Sequence, residues 1–147
     1  MKGVYVLIIE NHADTELEIG RIGLIPFKKG FYAYVGSALA GLEQRIGRHR
    51  RDLGNNKKLH WHIDYLLANS AAELKEVVCA ETEARKECEI AMNLNQQLES
   101  IPKFGCSDCS CTSHLFFCNN VAELKERVYD CFQSATVNLR ATKINPV

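Results

Sequence analysis

Apolar and polar positions along the chain alternate with two different periods. Residues 3–9 are almost unbroken apolar, with Val4, Tyr5, Val6, Ile8 and Ile9 all β-prone, and predict a buried strand. Residues 11–15 are a polar turn, and residues 17–22 predict a short edge segment. Pro26 and the Lys28-Lys29-Gly30 run predict a further turn. Residues 31–35 resume a strand that Gly36 stops. The first part of the chain therefore predicts a hairpin with an excursion between its arms.

Helical spacing follows. Leu42, Ile46, His49 and Leu53 recur on one face, and Gly54-Asn55-Asn56 ends the run. Residues 62–68 predict a helical turn or two, and residues 74–79 a strand. Residues 82–98 predict a long helix capped by Thr82, broken by Pro102 and Gly105. A cysteine-rich loop, a strand over 115–118 and an amphipathic helix from Val121 to about Phe132, capped by Asn120, complete the order. Such an order predicts an α+β fold, a small mixed sheet flanked by helices. The 147 residues predict one domain, with a Cys-rich C-terminal extension over about 103–147.

Composition narrows the function classes. Eighteen basic and eighteen acidic residues give zero formal net charge, so no global cationic coat is present. Phosphate binding would need a local patch, and Arg45, Arg48, Arg50, Arg51, Lys57 and Lys58, interleaved with His49, His60 and His62, supply one. Read alone, that patch is equally a solvated helix face. No apolar run is long enough to span a membrane, and residues 1–10 carry no small-residue cleavage site. Seven cysteines, an odd number, argue against a full disulfide framework and agree with a cytoplasmic setting.

Gly3-Val4-Tyr5 opens the first strand and Tyr34-Val35-Gly36 ends the second, so the two tyrosines approach across neighbouring strands. Gly36, Ser37, Ala38 and Gly41 are small and let backbone or substrate come close. Arg45 and His49 then lie four apart on one helix face. This ordered set resembles the GIY-YIG nuclease superfamily. Its signature is two tripeptides on adjacent strands, a helical arginine and a glutamate on a later helix. The compact group called the Uri superfamily endonucleases is the closer likeness. It shares His60-Trp61-His62-Ile63-Asp64-Tyr65, the Glu87-Cys88 pair, and the run from Gly105 to Phe116. The likeness covers residues 3–117. Ser37 departs from it, standing where many members carry lysine.

The resemblance implies metal-dependent endonuclease chemistry on nucleic acid, DNA before RNA, with Mg²⁺ or Mn²⁺ held by one carboxylate. Tyr5, Tyr34, Arg45, His49 and Glu87 are its catalytic candidates. Gly36, Ser37, Arg48, His60, His62 and Asp64 are candidates for substrate contact, and His60, His62 and Asp64 serve equally as caps or braces. Both Glu87 and Glu89 fit the pattern, and helix geometry separates them. Taking Ala91 as the buried direction, Glu87 falls about 40° away and Glu89 about 160° away at a hundred degrees per residue.

Cys106, Cys109, Cys111 and His114 place four soft ligands in one short loop, a donor set suited to Zn²⁺. The alternative is a loop of small, partly buried cysteines. Three functional readings stand: a metal-dependent nuclease recruited by a protein partner, a nucleic-acid-binding module without catalysis, and a zinc- or redox-responsive thiol protein.

Overall fold

In the computed structural model, β1 (Gly3–Asn11) runs between β4 (Gly30–Ala38) and β5 (Ala72–Glu81) and is buried almost end to end. The structure describes residues 2–38, 41–50, 59, 61–106 and 109–135, with the backbone of 140–143. Further out, β6 (Glu99–Ser100) and β7 (Leu115–Cys118) extend the sheet beyond β4, and β8 (Arg140–Lys143) pairs with β5. The order is β6-β7-β4-β1-β5-β8. The order of elements along a chain does not set strand direction. Here every ladder in the sheet is antiparallel.

Alternation along the strands sorts the core into two halves. Val4, Val6, Ile8, Ala33 and Val35 face α3 (Glu87–Asn95) and α4 (Val121–Ser134), meeting Ile90, Leu94, Leu124, Val128 and Phe132. Tyr5, Leu7, Ile9, Tyr32 and Tyr34 face the other way. They pack against Leu42 of α1 (Leu42–Arg50) and against Ile63 and Leu66 of α2 (His62–Leu67). Glu76, buried on β5, fixes α4 from below: Lys125 approaches at 2.9 Å and Tyr129 donates its hydroxyl at 3.1 Å.

The excursion between β1 and β4 is a second, two-stranded ribbon, β2 (Thr15–Ile19) and β3 (Gly23–Phe27), joined by a 3₁₀ turn at Gly20–Ile22. Pro26, expected in a turn, lies inside β3 opposite Glu16. A two-stranded ribbon has a free edge, where a residue lacking an N–H costs no ladder bond. Asn11 ties this ribbon to β1 by donating to the carbonyls of Phe27 and Lys28.

Two further expectations are corrected. The helix expected over 82–98 begins at Glu87, not Thr82. Thr82 Oγ1 instead accepts from Ala84 N, a local turn, and Glu83, Ala84 and Arg85 are exposed with no core to join. The cysteine-rich segment is built into the fold, because β7 pairs with β4 and α4 fills one core half. Asn120 caps α4, accepting from Glu123 N at 3.0 Å, as expected. The Gly54-Asn55-Asn56 stop lies outside the described residues.

Gly36 carries the tightest approach in the sheet. A Cβ there would run into the ring and hydroxyl of Tyr5, its partner across the β1–β4 ladder. Gly47, in α1, would meet nothing. Gly36→Ala is therefore expected to cost about 1–3 kcal/mol through overpacking. Gly47→Ala should gain roughly 0.5–1 kcal/mol from lost chain entropy. Chemical denaturation of both variants checks this, and equal effects would contradict the packing at Gly36.

Candidate active site

Register brings the two tyrosines to one face. Tyr5 sits opposite Gly36 and Tyr34 opposite Leu7, so the phenols are diagonal neighbours. Tyr5 lies over Gly36 and reaches α1, where its hydroxyl meets His49 Nε2 at 2.7 Å. Tyr34 packs edge-on to His49 and to Phe104, with ring centroids 6.3 and 6.1 Å away. The shared face expected for Arg45 and His49 is realised. Arg45 donates from Nη1 to the Ser37 carbonyl at 3.1 Å, and its charge opposes the rise of the Tyr5 phenol.

Burial pushes both phenols well above the ordinary tyrosine range. At Tyr5 the Arg45 guanidinium pulls the other way, whereas at Tyr34 the neighbouring Tyr5 and the Glu87 carboxylate push further up. Both remain protonated phenols at neutral pH. Their access differs: Tyr5 is 1% exposed and Tyr34 8%. Trp61 covers the Tyr5–His49 pair from outside, its ring 5.9 Å from His49.

Trp61 is a participant that residue chemistry alone did not single out. The guanidinium groups of Arg45 and Arg48 lie 4.3 and 4.1 Å from its ring centroid, a cation–π arrangement available because they are three apart on α1. Arg48 also makes a two-pronged pair with Asp64, both contacts 2.9 Å, and Asp64 accepts from Trp61 N at the start of α2. Asp64 is fully buried. Its contacts with Arg48 and Trp61 brace α1 against the start of α2. His62 faces another way, accepting from Gly105 N at 2.8 Å, and burial lowers its pKa. His60 lies outside the described residues.

Glu87 enters from the start of α3 with its side chain 15% exposed, whereas Glu89 is 55% exposed. The helix-face expectation is met in direction. Glu87 pairs with Arg85 at 3.1 Å, itself mostly exposed and so weakly held. The Glu87 carboxylate is largely buried, and its charge contributes to raising both phenols.

The soft-ligand set needs one correction. The thiols of Cys109 and Cys111 and the His114 ring do converge, but their fourth partner is Cys88 of α3 and not Cys106. Cys106 turns away and its thiol donates to the Phe104 carbonyl. Sequence distance hid the approach of Cys88 to the loop. A second group, Glu10, His12 and Glu73, is an exposed ion-pair network with Lys75 3.7 Å from both glutamates.

Beside the cysteine loop lies a groove of about 760 Å³, with Arg21, Lys103, His62 and Tyr65 in its walls. No carboxylate lines it among the described residues, so the groove is locally cationic in a chain of zero net charge.

Fold and site together define an α+β domain in which two tyrosine strands face an arginine helix. The family model described as "Domain of unknown function DUF123" matches residues 4–137, and the chain belongs to that family. No curated protein and no solved structure matches the chain.

Removing Arg48 would take the two-pronged cationic partner from a buried carboxylate. Arg48→Ala is therefore expected to destabilise the fold by about 3–5 kcal/mol. Arg45→Ala, whose guanidinium is partly solvated, should cost much less. Denaturant midpoints of the two variants check the order, and an Arg48→Ala protein as stable as the parent would show that the pair is not a brace.

Proposed function

We propose that this protein is a divalent-metal-dependent nuclease, hydrolysing phosphodiester bonds in nucleic acid at the Tyr34–Arg45–Glu87 face. The observation that carries the reading is that two phenols and a hydrogen-bonded arginine share one sheet face, with a largely buried glutamate whose charge raises both phenols. The resemblance to GIY-YIG nucleases supports it, as does the cationic groove beside His62.

Exposure divides the labour. Tyr34 is the less deeply covered of the two buried tyrosines, and as a protonated phenol it would orient the attacking water by hydrogen bonding. Arg45 faces the phosphate, and its fork stabilises the charge that accumulates on the phosphoryl oxygens. Tyr5 and His49 are positioning residues: both are sealed from solvent, and together with the Ser37 carbonyl they hold Arg45 in place. Glu87 would hold Mg²⁺ or Mn²⁺, which supplies polarisation of the phosphate and of the leaving oxygen. In the reaction the water oxygen bonds to phosphorus and one ester P–O bond breaks. The departing oxygen is protonated from solvent. Arg48 and Asp64 take no part beyond bracing α1 against α2.

Labelled DNA and RNA substrates, assayed with and without Mg²⁺ or Mn²⁺, test the reading. Arg45→Ala is expected to lose ~10²–10³-fold in rate while remaining folded. Glu87→Gln should abolish metal-dependent turnover and Glu89→Gln should leave it intact. Retained turnover in Arg45→Ala would remove Arg45 from the mechanism, and the reverse result for the two glutamates would overturn the helix assignment. Salt-sensitive binding with no cleavage under any metal would instead mark a binding module.

A further inference from the structure

Three thiols and an imidazole meet at a place where neither packing nor a disulfide accounts for them. The Sγ atoms of Cys88, Cys109 and Cys111 and a ring nitrogen of His114 all lie within 4.8 Å of one another. Cys109 Sγ stands 3.5 Å from His114 Nε2. Bond lengths to tetrahedral zinc of about 2.3 Å for sulfur and about 2.0–2.1 Å for nitrogen put neighbouring ligand atoms roughly 3.5–3.8 Å apart. The observed cluster needs only a small closure to reach that spacing.

The four donors arrive on different supports. Cys88 is in the first turn of α3, while Cys109 and Cys111 come from the loop before β7. His114 is locked by its backbone, donating to the Phe104 carbonyl at 2.8 Å and accepting from Val35 N at 2.9 Å. A closed site drawn from two separated elements is how structural zinc contributes to folding.

No large apolar side chain occurs between Phe104 and Leu115, so the loop has no hydrophobic hold of its own. The residue preceding α3, Lys86, makes no side-chain capping bond. The three thiols are only half-buried, so they are not core filling, and one disulfide would use only two of the three.

We infer that Cys88, Cys109, Cys111 and His114 bind a single Zn²⁺ as a closed, tetrahedral structural site. Binding releases the three thiol protons to solvent, and the imidazole coordinates in its neutral form. Four protein ligands leave no open position, so this zinc is not the hydrolytic metal. It clamps the start of α3 to the loop and thereby sets where Glu87, one residue before Cys88, stands. The assignment is independent of the nuclease reading and survives its failure.

The test is metal analysis of the full-length chain, isolated under reducing conditions and dialysed, together with its visible spectrum after exchange into Co²⁺. About one zinc per chain is expected, with the intense bands of tetrahedral cobalt and charge transfer from three thiolates. Cys88→Ser and Cys111→Ser should fall to near zero bound zinc, and Cys106→Ser should keep it. The stoichiometry and cobalt spectrum of the parent chain decide the matter even if a ligand variant does not fold. The inference is overturned by a reduced, folded protein that takes up no zinc when it is offered. It is equally overturned by octahedral cobalt, by a disulfide within the cluster, or by zinc lost from Cys106→Ser and kept by Cys88→Ser.

Discussion

The contact on which the rest of the site depends is the Tyr5 ring lying across Gly36. It exists only in one register of β1 against β4, because a slip of one residue would turn every side chain of β1 to the opposite face. With the register set, the Tyr5 hydroxyl reaches His49 at 2.7 Å, and α1 acquires its orientation. Arg45, one turn earlier, then falls beside the phenol and the Ser37 carbonyl. A glycine, a tyrosine and a buried histidine thus place one cation over the face of the sheet.

Electrostatics divides the two arginines of α1 by environment. Arg48 is neutralised by a fully buried carboxylate, and its charge is spent locally. Arg45 has the Ser37 carbonyl and the Trp61 ring for partners, neither of which cancels its charge, so its field is available to an anion. The same economy appears at the start of α3, where a hard donor, Glu87, and a soft donor, Cys88, are consecutive. They point about a hundred degrees apart along the helix, one towards the phenols and the other towards the cysteine loop. Adjacent residues can therefore serve two chemically distinct metals without competing for either.

Much of this was legible in the sequence because it rests on local periodicity. The two tyrosine strands, the helix of Arg45, the capped last helix and the inward face of Glu87 all follow from spacing. What was not legible depends on tertiary placement. Pro26 reads as a turn until the ribbon edge makes its missing N–H harmless. The helix at Glu87 looked longer because residues 83–85 are good helix formers, and only the absence of a core beside them shortens it. Cys106 shares the loop with Cys109 and Cys111, yet a thiol twenty-one positions before Cys109 takes its place. Nothing in sequence distance signals that approach. Trp61 likewise gains its role from two arginines on another helix.

The central claim is that Tyr34, Arg45 and Glu87 converge on one phosphate. A crystal of the chain with Mn²⁺ and a short non-hydrolysable oligonucleotide, read by the anomalous signal of manganese, tests it most directly. The account predicts manganese on the Glu87 carboxylate, a bridging phosphate oxygen beside Arg45 and a water against the Tyr34 hydroxyl. Manganese at Glu89 or in the Glu10–His12–Glu73 group, with the oligonucleotide seated away from Tyr34, would contradict it.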